Sequence, residues 1–173
     1  MSEESGKITI EKVATQALWN VYNLINNRVN VPDPNDSTGN RKFVYTSKPD
    51  FSGRNFAGFP FIIVRSAKPK KAKSTADLSK SFRDYDILIE VYAQDSLGSD
   101  STANKIGIAT RDSIVNKVIK TLESPTNRKV LITYGQAHLN YSVDIDDDAE
   151  LDGKPVFSAE FDINFANNLS SSS

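Results

Sequence analysis

Two strand-like runs separated by a lysine-rich insert, between Phe59 and Asp95, constrain this chain more than any other stretch. Phe59-Pro60-Phe61-Ile62-Ile63-Val64 is apolar and rich in branched residues, the composition of a strand inside a sheet. Pro60 has no N–H to give a ladder and so belongs at the strand's start or on a sheet edge. Phe82 to Ala93 alternates in type: Tyr85, Ile87, Ile89, Val91 and Ala93 fall on one side, and Asp84, Asp86, Leu88, Glu90 and Tyr92 on the other. One side therefore meets the core, and the acidic side meets water or a partner. Ser66 to Ser81 lies between the runs and far exceeds the roughly two to five residues of most hairpin loops. It reads as a structureless, projecting loop (66–81), which points toward assembly more than chemistry.

The remaining elements fall around this pair. Ile10 to Val29 reads as an amphipathic helix, with Ile10, Val13, Ala14, Ala17, Leu18, Val21, Leu24 and Ile25 at three- and four-residue steps. Thr9 is its N-cap, and Trp19 and Tyr22 flank the apolar stripe. Val31 to Asn40 is a cluster of breakers and so a loop. A short strand follows at Lys42 to Thr46, and then an irregular stretch, Ser47 to Gly58. After a Ser/Asp/Gly turn, Asp95 to Thr102, a second helix runs from about Ser101 to Leu122, with Ile108, Val115, Val118, Ile119 and Leu122 inward and Pro125 as its stop. Two strands finish the chain, Lys129 to Ile145 and Val156 to Phe165, joined by an acidic turn, Asp146 to Lys154, that ends in Asp152-Gly153. This order predicts an α+β fold, a mostly antiparallel sheet with two helices on one face and a long basic strand-to-strand loop. The single domain spans 1–173, with its core at about 8–166 and a frayed tail at 167–173.

Composition narrows the function classes. Twenty-one basic residues nearly balance 22 acidic ones, so only local charge carries information. Without cysteine the chain has no disulfides and no thiolate metal sites. The polar, acidic Met1 to Lys7 is unlike a secretory signal, and no apolar run approaches the roughly 20 residues that span a bilayer. A soluble protein made in a cytoplasm, with no membrane contact, is the expectation.

No catalytic grouping assembles from local sequence. His138, the single histidine, has no nucleophile or orienting carboxylate beside it and reads as a strand residue facing solvent or a neighbouring subunit. Asp144 to Asp152 suggests a calcium loop, but Ala149 stands where the sharp-turn glycine belongs and Pro155 where the bidentate glutamate belongs. Asp146, Asp147 and Asp148 are then carboxylates of a solvated or partner-facing turn. Asp84, Asp86 and Glu90 could begin a metal-dependent nuclease cluster, but that chemistry needs a placed lysine or histidine and a carboxylate from another element. No catalytic residue, metal site or cofactor is expected.

Arg65, Lys68, Lys70, Lys71 and Lys73 place five positive charges within nine residues. They suit nucleic-acid phosphates, though no aromatic residue lies between Arg65 and Phe82 to stack on bases. They equally suit an acidic surface on another copy, such as the Asp84, Asp86 and Glu90 face or the 144–152 turn.

The succession of an amphipathic helix, an irregular stretch, Phe59-Pro60-Phe61-Ile62-Ile63-Val64, a long insert, Tyr85-Asp86-Ile87-Leu88-Ile89-Glu90-Val91-Tyr92-Ala93, a second helix and two strands resembles the tail-terminator, or tail-completion, proteins of long-tailed bacteriophages. The resemblance covers about residues 8–166 and rests on element order. It implies a virion protein of the tail and neck, assembled in the host cytoplasm. Such a protein forms a homohexameric ring on the tail tube protein, stops tube growth and joins it to the head–tail connector protein, with DNA passing through the lumen. The family's long loop corresponds here to Ala67 to Lys80. The long Val31 to Gly58 region and the acidic 146–152 turn depart from the pattern. The alternatives are a head-completion, neck or tube-like structural protein, and, from other classes, a metal-dependent nuclease or a non-viral binding module.

Overall fold

A computed structural model describes residues 10–66, 73–74, 81–82, 84–95, 103–132 and 136–167. The expected N-cap Thr9, the lysines Lys68, Lys70 and Lys71, the turn at 96–102 and the tail from 168 lie outside the described residues. The elements in chain order are α1 (Ile10–Asn26), β1 (Val44–Tyr45), β2 (Phe61–Ser66), β3 (Lys73–Ser74), β4 (Ser81–Phe82), β5 (Asp84–Ala93), α2 (Ala103–Glu123), α3 (Pro125–Ile132), β6 (Gln136–Leu151) and β7 (Lys154–Asn167). Five strands form a mixed, mostly antiparallel sheet in the order β1-β2-β5-β7-β6, and only β1 against β2 is parallel.

Period-two alternation sorts the sheet as the sequence predicts. Ile62 and Val64 of β2, Ile87, Ile89 and Val91 of β5, and Ala159, Phe161 and Ile163 of β7 share one buried face. The helices tile that face in order: α1 against β1 and β2, α2 against β5 and β7, and α3 against β6. Ala17, Val21 and Ile25, four residues apart, are the buried stripe of α1; Ile114, Val115, Val118 and Leu122 serve α2, and Leu131 serves α3. Each fully buried aliphatic or aromatic side chain here stabilises the fold by about 1.5–3 kcal/mol. Trp19 stays 48% exposed at the rim, edge-on to Tyr22.

Four expectations are corrected. The helices number three, because Pro125, read as a stop, opens α3 after Ser124; a proline at the first helical position sacrifices no hydrogen bond. The strand expected from Lys129 therefore starts at Gln136. The insert is not wholly structureless, since Lys73 and Ser74 pair with Phe82 and Ser81. Most of the supposed acidic turn is strand. β6 pairs with β7 out to Leu151↔Lys154, leaving a two-residue turn, Asp152-Gly153, whose positive φ angles of 52° and 73° suit a tight hairpin.

The irregular region after α1 is built from polar contacts that local sequence does not announce. Arg41 donates two hydrogen bonds to the buried Asp33 carboxylate at 2.7 Å and others to the carbonyls of Ala57, Gly58 and Pro60. Arg28 donates to the carbonyls of Asp36 and Arg41. Asp36 in turn accepts from the Thr38 hydroxyl and the Arg41 amide at 2.6 Å each. These bonds, the Thr38 hydroxyl foremost, hold the Asp36 carboxyl well below the usual carboxylate range.

Candidate assembly surface

The sheet face away from the helices divides into two halves. At the β1–β2 side, Tyr45, Phe61 and Ile63 are buried under Phe51, Phe56 and Phe59 from the preceding loop, with Tyr92 and Leu151 packed alongside. The Phe51 and Phe56 rings meet edge-on with centroids 4.9 Å apart, a favourable geometry that seats the loop. The hairpin end joins this cover, as the Lys48 ammonium lies 2.5 Å from the Asp152 carboxylate.

The other half carries acids. Strand register sets Glu90 of β5 directly opposite Glu160 of β7, and Glu160 directly opposite Asp144 of β6. Asp162, two residues along β7, shares their side, opposite Leu88 and Ser142. Directly opposed side chains have Cβ atoms about 4.5–5.5 Å apart, so like charges there repel. Arg65 of β2 is the cation that engages this row. Its Nε and Nη2 donate to Glu90 at 2.6 and 3.0 Å, a two-point ion pair that raises the Arg65 pKa. Tyr92 donates its hydroxyl to the same carboxylate at 3.2 Å; burial first, then the Glu90 charge, pushes the phenol up. Glu160 is exposed as a residue, yet partial burial of its carboxyl, followed by the charges of Glu90, Asp162 and Asp144, raises its pKa. Oδ1 of Asp162 is buried without a hydrogen-bond partner.

The residues singled out from sequence now have places. Arg65 belongs to β2 and is engaged by Glu90, so it is not one of the reaching cations of the insert. Asp86 and Glu90 are only 5% and 8% exposed, which corrects the picture of a freely solvated strand face. Asp86 accepts a hydrogen bond from Asn164 at 2.8 Å. Asp84 stands opposite Ala166, and Lys73 opposite Phe82, with the side chains of both outside the described residues. His138 stands opposite Ala166 across a register shift.

Asp146, Asp147 and Asp148 lie in β6 at a bulge where two residues, Asp147 and Asp148, oppose Phe157 alone. There Asp147 accepts from Arg111 of α2, and Asp146 Oδ1 accepts the Asp148 amide at 2.9 Å. Two of the three carboxylates therefore serve the chain's own structure. Arg111 is 3% exposed and also binds Asp112 at 2.8 Å. Sequence reasoning missed it because Asp147 is 36 positions away. Glu160, Asp162 and Asp144 were missed as a group because the register that unites them spans two strands.

Among the described residues no group of three or more His, Cys, Asp or Glu side chains is arranged to hold a metal ion. No described helix is long and apolar enough to cross a membrane. Neither the protein-family models nor the curated proteins compared with this chain contain a match.

Proposed function

We propose that this chain is a structural, non-enzymatic subunit of a bacteriophage virion: a tail terminator that assembles as a ring, caps the tail tube and joins it to the head connector. The observation that carries the reading is architectural. A central antiparallel pair, β2 and β5, is joined by an unusually long basic insert, with α1 before it and α2 and two strands after it. That is the order on which the resemblance rests. The division of the sheet supports the same reading, since helices cover one face while half of the other presents charge instead of a packed layer. Polar rims accompany interfaces between soluble partners, and this half of the face has that character.

The test is assembly on a tube. Negative-stain imaging and solution mass are measured for the chain alone and with purified tail tube protein. The expected result is six-membered rings and tubes of arrested length capped at one end. A chain that stays monomeric with tube protein and hydrolyses nucleic acid in the presence of magnesium would overturn the reading.

A further inference from the structure

We propose that the acidic run of β6 guards an open edge of the sheet, keeping it from pairing with the same edge of a second copy. The guard belongs to the free subunit and stands apart from the terminator reading. The two edges of the sheet differ. β1 is two residues long and both are buried, so that edge offers little to pair with. β6 runs for 16 residues and, among the described residues, pairs with β7 alone. From Asn140 to Leu151 none of its residues is buried. Backbone N–H and C=O groups along its outer side therefore face away from the sheet, a template for another strand.

Composition makes that template attractive. Gln136 to Val143 holds no Asp, Glu, Lys or Arg, and Tyr141, Val143 and Ile145 are residues that favour strands. Tyr141 and Val143 pack against the core, whereas Ile145, on the same side, is exposed. Charge begins at Asp144: with Asp146, Asp147, Asp148 and Glu150 it makes five carboxylates in seven residues. Asp147 accepts from Arg111 and Asp146 accepts the Asp148 amide, which accounts for two of them. The side chains of Asp144, Asp148 and Glu150 make no hydrogen bond or ion pair among the described residues. Asp144 instead stands directly opposite Glu160, a like charge.

The effect of these acids is felt outside the subunit. Two β6 edges could join antiparallel with the helices of both copies on one side. Centred on Asp144 or Ile145, such a ladder sets Asp144 of one copy against Asp144 or Asp146 of the other, and like charges directly opposed destabilise it. The bulge at Asp147 and Asp148 interrupts a straight ladder in the same stretch.

Neutralising the acids that the fold does not use tests this. A variant with Asp144→Thr, Asp148→Thr and Glu150→Thr moves the formal net charge from −1 to +2, so any association it shows does not come from a smaller overall charge. A second variant adds Ile145→Lys. Sedimentation reads association, amide hydrogen exchange reads pairing at β6, and thermal melting reports folding. Asp144→Asn with Asp148→Asn and Glu150→Gln stands in if the threonines impair folding. The neutral variant should associate at least about tenfold more tightly than wild type, with slower exchange from Tyr141 to Ile145. Wild type should associate more as added salt screens the carboxylates. Adding Ile145→Lys should return association to the wild-type level. A folded neutral variant with unchanged association would overturn the proposal. So would association that leaves exchange in β6 unaltered, or that persists with Ile145→Lys.

Discussion

Asp33 and Asp36 in the loop after α1 are held by Arg41, Arg28 and backbone amides, whereas Glu160, Asp162 and Asp144 on the second sheet face look mainly at other carboxylates. In the loop each acid completes a local structure, and the Asp36 carboxyl is correspondingly easier to ionise. On the sheet face the Glu160 carboxyl is harder to ionise, because partial burial strips its hydration and the neighbouring charge of Glu90, then those of Asp162 and Asp144, add to the cost. The same residue type thus stabilises one region and strains the other. An acid that holds its own chain together has no need of a partner; an acid whose charge burdens the isolated subunit gains when a cation arrives.

Three substitutions would break or sharpen that contrast. Arg41→Ala should cost about 3–5 kcal/mol in urea unfolding, because it removes the counter-ion and two hydrogen bonds of the fully buried Asp33 side chain. A loss below about 1 kcal/mol would mean that the loop does not depend on this pair. Arg65→Ala, the matching change on the face, should cost less, about 1–2 kcal/mol, since Arg65 is nearly half exposed and its pairing with Glu90 is partly screened. Equal losses at the two arginines would erase the distinction between the regions.

The smallest effect has the opposite sign. Glu160→Gln should stabilise the isolated subunit by about 0.5 kcal/mol near neutral pH. The folded Glu160 carboxyl titrates above its ordinary value of 4.5, so wild-type stability declines as pH rises through the folded value. Below the ordinary value both states are protonated, and the advantage of the glutamine should vanish. Melting curves across pH 4 to 8 read this directly, and a glutamine variant less stable than wild type at pH 8 would contradict the crowding of charge.

Much of the fold is legible in short-range patterns. Ile87, Ile89 and Val91, and Ala159, Phe161 and Ile163, announce both their strands and their buried side by alternation alone. The spacing of Ala17, Val21 and Ile25 does the same for α1. Ser124-Pro125 was misread because a proline after a helix resembles a terminator, although a serine followed by proline also opens a helix. The run Asp146 to Asp148 resembled a turn because aspartate is rare in strands. A buried arginine on α2, far away in sequence, is what makes strand geometry tolerable there. The candidate surface was half visible: alternation placed Glu90 on a charged face, but only pairing with β7 and β6 brings Glu160 and Asp144 into line with it.

The position of β7 in the sheet has a consequence for how the molecule comes into being. It is the strand that joins β5 to β6, yet it follows every other element along the chain. Until it emerges from the ribosome, β5 has one unpaired edge, and the apolar side chains destined for α2 lie beside a gap. The β6–β7 hairpin can form by itself across its two-residue turn, but its union with β5 spans more than sixty residues of sequence, the kind of distant pairing that slows folding. The sheet is therefore completed last and all at once, so a chain halted before Lys154 would hold two unjoined halves and no acidic row.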